Sequence, residues 1–313
     1  MAEDLNSELR DASRDGDIDR VMSLIDRGAD IHSRGHYGET SLHYACDSGQ
    51  TAVASLLLER GADIRSRDNN GGTALHYACE NGRTAIASLL LERGPDIDSR
   101  NNDGWTALHY ACENGQTAVA SLLLEIGADI HSRDNNGWTA LYRACYSGHT
   151  AVAPLLLERG ADIDSRNNDG WTALHGACWN GHTAVVSLLP VNGADIHSRN
   201  NYGETALHFA CTNSQKDTAI LLIESKADIY IKNNDGKTPL DLRRPEWRKE
   251  LTELYNTVNR AWLARKSFLF VLIGCGHVEG VTGEPAEERE QSAYEMLRDE
   301  VLRSVNLSIM PYL

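Results

Sequence analysis

One short segment recurs along this 313-residue chain every 33 residues. Each copy reads Thr-Ala-Leu-His-x-Ala-Cys or a close variant of it. The copies begin at Thr40, Thr73, Thr106, Thr139, Thr172 and Thr205, and they end at Cys46, Cys79, Cys112, Cys145, Cys178 and Cys211. A fixed period of this length predicts a stack of small supersecondary units, each of which buries its apolar side against its neighbours.

The unit at residues 104–136 shows how one copy is expected to fold. Thr106 stands where a helix N-cap is expected, and His109, three residues later, can reach back to it as in a capping box. Apolar residues then follow at helical spacing until Gly115 ends a short first helix. A second helix follows and stops at Gly127, before a turn rich in Asp and Asn. The sequence therefore predicts helix, turn, helix and then a protruding turn or hairpin.

The repeated segment resembles that of ankyrin-repeat proteins, whose signature is Thr-Pro-Leu-His-x-Ala at this period. Ala usually replaces the Pro here, and Thr238-Pro239-Leu240 keeps it. The resemblance implies an all-α ankyrin-repeat solenoid of helix-turn-helix units with protruding β-turns or hairpins and a helical C-terminal cap. It divides the chain into an N-terminal capping repeat (1–37), six full repeats (38–235), a truncated repeat with capping helices (236–273), and a flexible break with a C-terminal amphipathic helix (274–313).

Four residues depart from the repeat pattern. Pro190 replaces a residue of the second helix in its unit and predicts that this helix ends early. Pro154 lies near the start of its helix, where we expect it to cost little more than one hydrogen bond. Ser214 and Lys226 replace glycines that end helices, so we expect local strain or a different cap at both.

Composition limits the classes of partner. The formal net charge is −15 and the isoelectric point is near 5.2, which argues against a nucleic-acid backbone or an anionic membrane as the partner. The N-terminal residues carry no signal-peptide pattern, and six evenly spaced cysteines are too far apart to pair. We therefore expect reduced thiols and a monomer in the cytoplasm, with the nucleus as the alternative.

Histidine is one of the side chains that recur in nearly every unit, which indicates a role in stacking. Its positions are His43, His76, His109, His175 and His208. Zinc binding is the alternative, because each histidine lies three residues before a cysteine. However, zinc needs four ligands and each unit offers two. We therefore predict capping histidines, no metal site and no small-molecule cofactor.

Arginine and aspartate form two further ladders. The arginines are Arg34, Arg67, Arg100, Arg133, Arg166 and Arg199, and the aspartates are Asp30, Asp63, Asp96, Asp129, Asp162 and Asp195. A phosphate-binding stripe is one interpretation of the arginines. The acidic composition favours a second interpretation, in which the aspartates neutralise the charge of the arginines.

Two positions vary between units, which leaves them available for binding. In the ankyrin family both line the concave groove formed by turns and first helices. On this chain they place one aromatic group at Trp105, Trp138, Trp171, Tyr146 and Trp179, with Arg143 close by. Acidic and amide residues border it, namely Glu80, Glu113, Asn81, Asn114, Asp103 and Asp169. The alternative is that the three turn tryptophans stack on one another and shield the hairpins, and Tyr44, Tyr77 and Tyr110 are assigned to the core.

The sequence predicts a non-enzymatic module that binds a partner protein segment on its concave face through this aromatic group. We expect that segment to offer an apolar or aromatic anchor with basic neighbours. No phosphate loop, nucleophile elbow or complete metal set occurs in the sequence. The ending Asp299–Leu313 faintly resembles the first half of an F-box, which implies the alternative of a ubiquitin-ligase substrate adaptor whose repeats hold the target.

Overall fold

The computed structural model describes residues 2–242 and 245–274, with side chains described for 5–242 and 247–262. The chain divides into two compact units, the first over residues 1–256 and the second from Thr257 onward. The described part of the second unit is the C-terminal portion of one helix. No helix in the described ranges is both long and apolar enough to cross a lipid bilayer.

Within the described residues, the first unit is a row of helix pairs. The opening pair is α1 (Ala2–Asp15) and α2 (Ile18–Asp26). The next three pairs are α3 (Ser41–Ser48) with α4 (Thr51–Glu59), α5 (Ala74–Glu80) with α6 (Thr84–Leu91), and α7 (Ala107–Glu113) with α8 (Thr117–Ile126). The last three are α9 (Ala140–Tyr146) with α10 (Val152–Glu158), α11 (Ala173–Asn180) with α12 (Thr183–Val191), and α13 (Ala206–Thr212) with α14 (Lys216–Glu224).

The first helices pack side by side along the row, and the second helices form a parallel layer. Between successive pairs the chain makes a tight turn, and one antiparallel bridge joins Arg133 to Thr139. No longer strand is present in the ranges that the structure describes. The predicted all-α repeat solenoid is confirmed.

The core repeats with the sequence. In the repeat at its centre the fully buried apolar residues are Ala107, Leu108, Ala111, Cys112, Val119, Ala120 and Leu123. Small residues on the first helix let neighbouring repeats approach closely, and leucines fill the space between the helix layers. All six periodic cysteines are buried and form no disulfide bond. Burial raises the pKa of each of the first five, from Cys46 to Cys178, well above its usual value. They therefore act as small apolar side chains.

A buried histidine closes the start of the first helix and binds it to the next repeat. Nδ1 of His109 accepts a hydrogen bond from the Thr106 N–H at 3.2 Å, which confirms the predicted capping box. Its Nε2 donates to the carbonyl of Trp138 in the following repeat at 3.0 Å. The same two bonds occur at His43, His76, His175 and His208. The histidine is therefore both a helix cap and a link between repeats.

The turns are linked by asparagine and arginine side chains. Nδ2 of Asn102 donates to the carbonyl of Asn69 at 3.0 Å, and this bond recurs at every repeat from Asn69 to Asn234. Arg67 likewise donates to the carbonyl of Arg100 at 2.7 Å. The predicted neutralisation of the arginine ladder by the aspartate ladder is wrong. No ion pair joins the two ladders in the described residues, because the arginines serve backbone carbonyls of the next repeat and the aspartates cap their own turns.

The two prolines act differently from expectation. Pro190 does not end its helix early, because α12 runs through it to Val191. Pro190 lies in the last turn, where the Asn192 side chain and backbone both donate to the Leu188 carbonyl and hold the chain in place. Pro154, by contrast, delays its helix. It cannot donate to the carbonyl of Thr150, and α10 begins at Val152, two residues later than the equivalent helices.

The ends of the row differ from the repeats. After α14 the truncated repeat forms a short 3₁₀ helix, Pro239–Leu242, whose Asp241 accepts from the Thr238 N–H at 2.9 Å in the role that histidine has elsewhere. The last helix within the described ranges, α15, spans Pro245–Gly274. Leu251 on its first half is buried, and Trp247 packs against the same core. The predicted C-terminal amphipathic helix and the F-box-like ending lie outside the described residues.

The buried histidines predict a loss of stability on acidification. Burial lowers the pKa of His109 and His175 to about 4, from 6.5 for an exposed histidine. Between these values the unfolded chain binds more protons than the folded chain, so stability that is present above pH 6.5 is lost as the pH falls towards 4. We expect each of these two histidines to cost about 2 kcal/mol of unfolding free energy between pH 6.5 and 5. Urea denaturation across this pH range measures the loss.

The control is His109→Gln. The glutamine amide can accept from the Thr106 N–H and donate to the next carbonyl without titrating. The variant should therefore fold with a shallower pH dependence, and a slope equal to that of the parent chain would contradict the assignment.

A second prediction concerns Ser214. It and Lys226 are the non-glycine residues with positive φ in the described ranges, at 66° and 79°, so the expected strain is confirmed. The left-handed conformation costs a side-chain-bearing residue about 1 kcal/mol. Because Ser214 is exposed, Ser214→Gly should raise the unfolding free energy by up to this amount, measured by chemical denaturation. Ser214→Ala keeps the Cβ atom and should leave stability nearly unchanged.

Candidate protein-binding surface

Residues from both variable positions, Trp138 and Trp171 from one and Tyr146 and Trp179 from the other, lie together where the turns meet the first helices. We call this surface the first-helix face. An open groove of about 350 Å³ lies on this face between the repeats of α9 and α11. Its lining is Trp138, Tyr142, Arg143, Tyr146, Trp171 and Trp179. Five of these six residues are ones that the sequence predicts for the binding site, and we call this feature the aromatic groove.

One wall of the aromatic groove is a stack of rings. The Tyr142 ring lies flat on Trp138, with centroids 3.4 Å apart and planes inclined by 17°. Tyr146 continues the stack at 5.7 Å from Tyr142. Tyr142 is 5% exposed, whereas Trp138 and Tyr146 are half-buried with surface left at the groove. The wall is therefore held rigidly before any ligand arrives.

The opposite wall belongs to the next repeats. Trp171 meets Trp138 edge-to-face at 6.2 Å, and it packs against Phe209 at 4.3 Å. Trp179 lies 5.5 Å from Trp171 and 5.6 Å from Phe209, yet 39% of its surface is exposed. An indole with that much exposure at the mouth of a groove is available for contact with a partner.

Trp105 does not line the aromatic groove. The Arg143 guanidinium lies over its ring, 4.1 Å from the centroid. Nη2 of the same guanidinium pairs at 2.6 Å with the carboxylate of Asp134, whose side chain is fully buried. The two remaining turn tryptophans contact each other, so the three do not form one continuous stack on the hairpins.

The aromatic groove exists because two consecutive repeats break the pattern together. In regular repeats the capping histidine meets an aromatic ring of the next repeat edge-to-face, as His43 does with Tyr77 at 5.4 Å. Here Tyr142 replaces the histidine, and Gly176 replaces the aromatic residue. A Cβ atom on Gly176 would lie 2.7 Å from the Tyr142 ring. The Tyr142 ring therefore fits only because residue 176 has no side chain. With no side chain at residue 176, the space between the two walls of the aromatic groove stays open.

The tyrosines assigned to the core, Tyr44, Tyr77 and Tyr110, are half-buried, and Tyr77 packs against the core. Tyr77 donates to the carboxylate of Asp68 at 2.7 Å, and burial together with that contact raises its pKa. Tyr110 accepts from Asn101 at 3.0 Å. Arg143 stands at the same position one repeat later, so its bond to Asp134 is the equivalent contact.

The acidic and amide residues predicted as a border do not line the groove: Asp169 lies in the turn just before Trp171, and the others belong to repeats that precede the groove in the sequence. Glu80, Asn81, Asn114, Asp103 and Asp169 are exposed, and Glu113 is half-buried. Asn114 is committed to the fold because its Nδ2 donates to the Tyr110 carbonyl at 3.0 Å. Asn81 donates in the same way and also reaches Oδ1 of Asp47. The carboxylates are therefore the groups of this set that remain available to a ligand.

Sequence reasoning missed three residues of this surface, namely Tyr142, Gly176 and Phe209. Comparison of the repeats contained a signal for the first two, because each replaces a residue that recurs in the other copies. The sequence could not show that the two changes meet in space. Phe209 conforms to the pattern of its position, so only its contact with Trp171 identifies it.

Metal-ligating side chains do not cluster in the described part of the chain. No group of three or more His, Cys, Asp or Glu side chains is placed there to hold an ion. A second groove of about 470 Å³ lies beneath the turns, against Arg133 and Asp162. Most of its lining residues recur from repeat to repeat, and His131 and Asp164 occupy one position that varies between repeats.

Comparison with known proteins agrees with this geometry. The family model described as ankyrin repeats, three copies, matches residues 9–101, 67–134, 90–167, 123–200 and 174–242. The chain belongs to the ankyrin-repeat family. These matches end at residue 242, so they give no support to the F-box resemblance of the C-terminal ending.

Individual relatives match the repeats. The putative ankyrin repeat proteins RF_p14 and RF_pd14 of Rickettsia felis are each 47% identical to this ankyrin-repeat chain over 52 residues, which is 17% of this chain and 82% and 79% of theirs. The crystal structure of the human ASB11 ankyrin repeat domain superposes with a TM-score of 0.64 at 28% identity. The superposed region covers 69% of this chain and 98% of the ASB11 chain.

The coupling of Tyr142 with Gly176 gives a test of how the groove arises. Gly176→Tyr alone should lower the unfolding free energy by about 1–3 kcal/mol, because the new ring collides with Tyr142. Adding Tyr142→His restores the histidine–tyrosine pair of the regular repeats and should recover that loss. Denaturant unfolding of the two single variants and the double variant measures the coupling. Additive effects would show that the two positions are independent.

Proposed function

We propose that this ankyrin-repeat chain is a non-enzymatic protein-binding module that holds an extended segment of a partner protein on its first-helix face. The observation that carries the proposal is the aromatic groove, a feature that the regular repeats do not share. An apolar or aromatic side chain of the partner segment enters it as an anchor. The module thus uses the stack as a scaffold and its irregular repeats as the site.

The chemistry of the groove supports an apolar anchor. Its volume of about 350 Å³ suffices for one large side chain. Trp and Tyr dominate the energetics of protein interfaces, and rings fixed by stacking lose little conformational entropy when a partner binds. Trp179 is the residue with the most exposed indole surface at the mouth. We therefore assign it the largest share of the binding energy.

The overall charge supports a protein as the partner. A net charge of −15 repels polyanions, and the carboxylates of the repeats before the groove favour basic neighbours of the anchor. The periodic histidines and cysteines are occupied as caps and buried packing residues, which leaves the first-helix face without a nucleophile and base in contact. The charge of the chain and the structural roles of its histidines and cysteines are both consistent with a module that binds a partner without catalysing a reaction.

The ligase-adaptor alternative rests on the C-terminal ending alone. That ending lies beyond the described residues, and no contact in the repeats favours it. It stays a prediction of the sequence.

A library of displayed random peptides about 16 residues long tests the groove, since such a peptide spans about 50 Å when extended. Peptides selected on the full chain should lose at least about 30-fold in affinity on Trp179→Ala, as expected for a hot-spot residue. They should also lose affinity for the double variant Tyr142→His with Gly176→Tyr, in which a tyrosine ring fills the groove. Fluorescence anisotropy with synthetic copies of the selected peptides measures both.

The matched control is Tyr202→Ala, which removes a ring that is 60% exposed on a turn outside the groove. It should leave affinity unchanged. Trp179 is a better target than Trp138, because the stack on Tyr142 makes Trp138 part of the fold. Undiminished binding by Trp179→Ala and by the double variant, with thermal unfolding curves showing intact folds, would refute the proposal.

A further inference from the structure

A row of carboxylates leads along the first-helix face to the aromatic groove. Asp47, Glu80 and Glu113 each follow the periodic cysteine of their repeat. In the next two repeats the same position carries Tyr146 and Trp179, which line the groove. Since successive first helices pack side by side, this one position forms a track along the repeats that is acidic at one end and aromatic at the other. We call Asp47, Glu80 and Glu113 the acidic row.

The acidic row has no ion-pair partner within the described residues. Arg83 lies nearby, but it donates to the backbone carbonyl of Asp47 and not to the carboxylate. Arg143 is committed to Asp134. Partial burial of the Glu80 carboxyl and the neighbouring charge of Asp47 raise the pKa of Glu80.

Glu113, at the end of the acidic row next to the groove, is the least satisfied of the three. Its Oε2 is shielded from solvent and makes no hydrogen bond. A carboxylate oxygen held away from water without a partner is costly, and a cation that reaches it would remove that cost. Its neighbour along the track is Tyr146, so a cation bound here would also lie at the edge of the aromatic wall.

The spacing of the track fits an extended peptide. Neighbouring helices pack about 8–10 Å apart, so the carboxylates are separated by about that distance. An extended chain advances about 3.3 Å per residue, and about three residues therefore span one repeat. The same separation excludes joint chelation of one metal ion, whose ligands must all lie within about 2.6 Å of it.

We propose that the acidic row binds lysine or arginine side chains spaced about three residues apart in the partner segment whose anchor fills the aromatic groove. The inference rests on the proposed function, because the anchor fixes where the segment lies. The basic residue facing Glu113 stands about three to five residues from the anchor. The next two basic residues of the segment face Glu80 and then Asp47, each one repeat further from the anchor. The protein thus reads a linear pattern of charge beside one apolar residue.

The same displayed library tests this pattern. Selected peptides should carry an apolar anchor with Lys or Arg at about three-residue intervals on one side of it. The triple variant Asp47→Asn, Glu80→Gln, Glu113→Gln keeps the size of each side chain, and it should weaken a selected peptide about 10- to 100-fold. Glu113→Gln alone should account for most of that loss. Raising the salt concentration should weaken the parent chain and leave the triple variant nearly unaffected.

The control removes three charges from the opposite layer with Glu92→Gln, Glu158→Gln and Asp217→Asn, which lie at the ends of second helices. It changes the net charge equally and should alter affinity less than about twofold. Selected peptides that carry an anchor but no spaced basic residues, or that bind the acidic-row variant normally, would overturn the inference and leave the proposed function standing. Peptides indifferent to Trp179→Ala and to the filled groove would overturn both.

Discussion

The structure depends on the contact that each repeat makes with the next. A histidine imidazole accepts from the N-cap backbone of its own helix and donates to a carbonyl 29 residues ahead, as His109 does to Trp138. Arginine and asparagine side chains of the turns make equivalent bonds at an interval of 33 residues. Because each unit is completed by its neighbour, stability accumulates along the row and no unit is expected to fold alone.

The candidate site lies where that contact is broken. Tyr142 cannot make the bonds of a capping histidine, so the carbonyl of Trp171 loses the donor that its equivalents receive. The ring turns onto Trp138 instead, and Gly176 makes room for it. A regular stack tolerates such a fault, since the repeats on both sides remain complete. The loss of two hydrogen bonds creates a groove that a regular repeat cannot provide.

The regular spacing of the other repeats also places the irregular site at a defined distance from its neighbours. The first helices hold equivalent residues at a constant interval, so the acidic row and the aromatic groove have a fixed separation before a partner binds. Under the proposed function, this track recognises an extended segment by the spacing of its side chains as well as by their chemistry. Little entropy is lost on the side of the protein, because the rings are stacked and Arg143 is fixed by Asp134.

The sequence by itself determined the repeat period, the paired helices, the histidine caps, the strained Ser214 and the location of the aromatic residues, because each follows from local pattern or backbone geometry. Tertiary structure decided the partner of each ladder arginine, the passage of α12 through Pro190, the separation of Trp105 from the groove, and the opening between Tyr142 and Gly176. These depend on which group in the neighbouring repeat occupies a given space. A one-dimensional pattern gives the interval between repeats, but not which side chains meet across it.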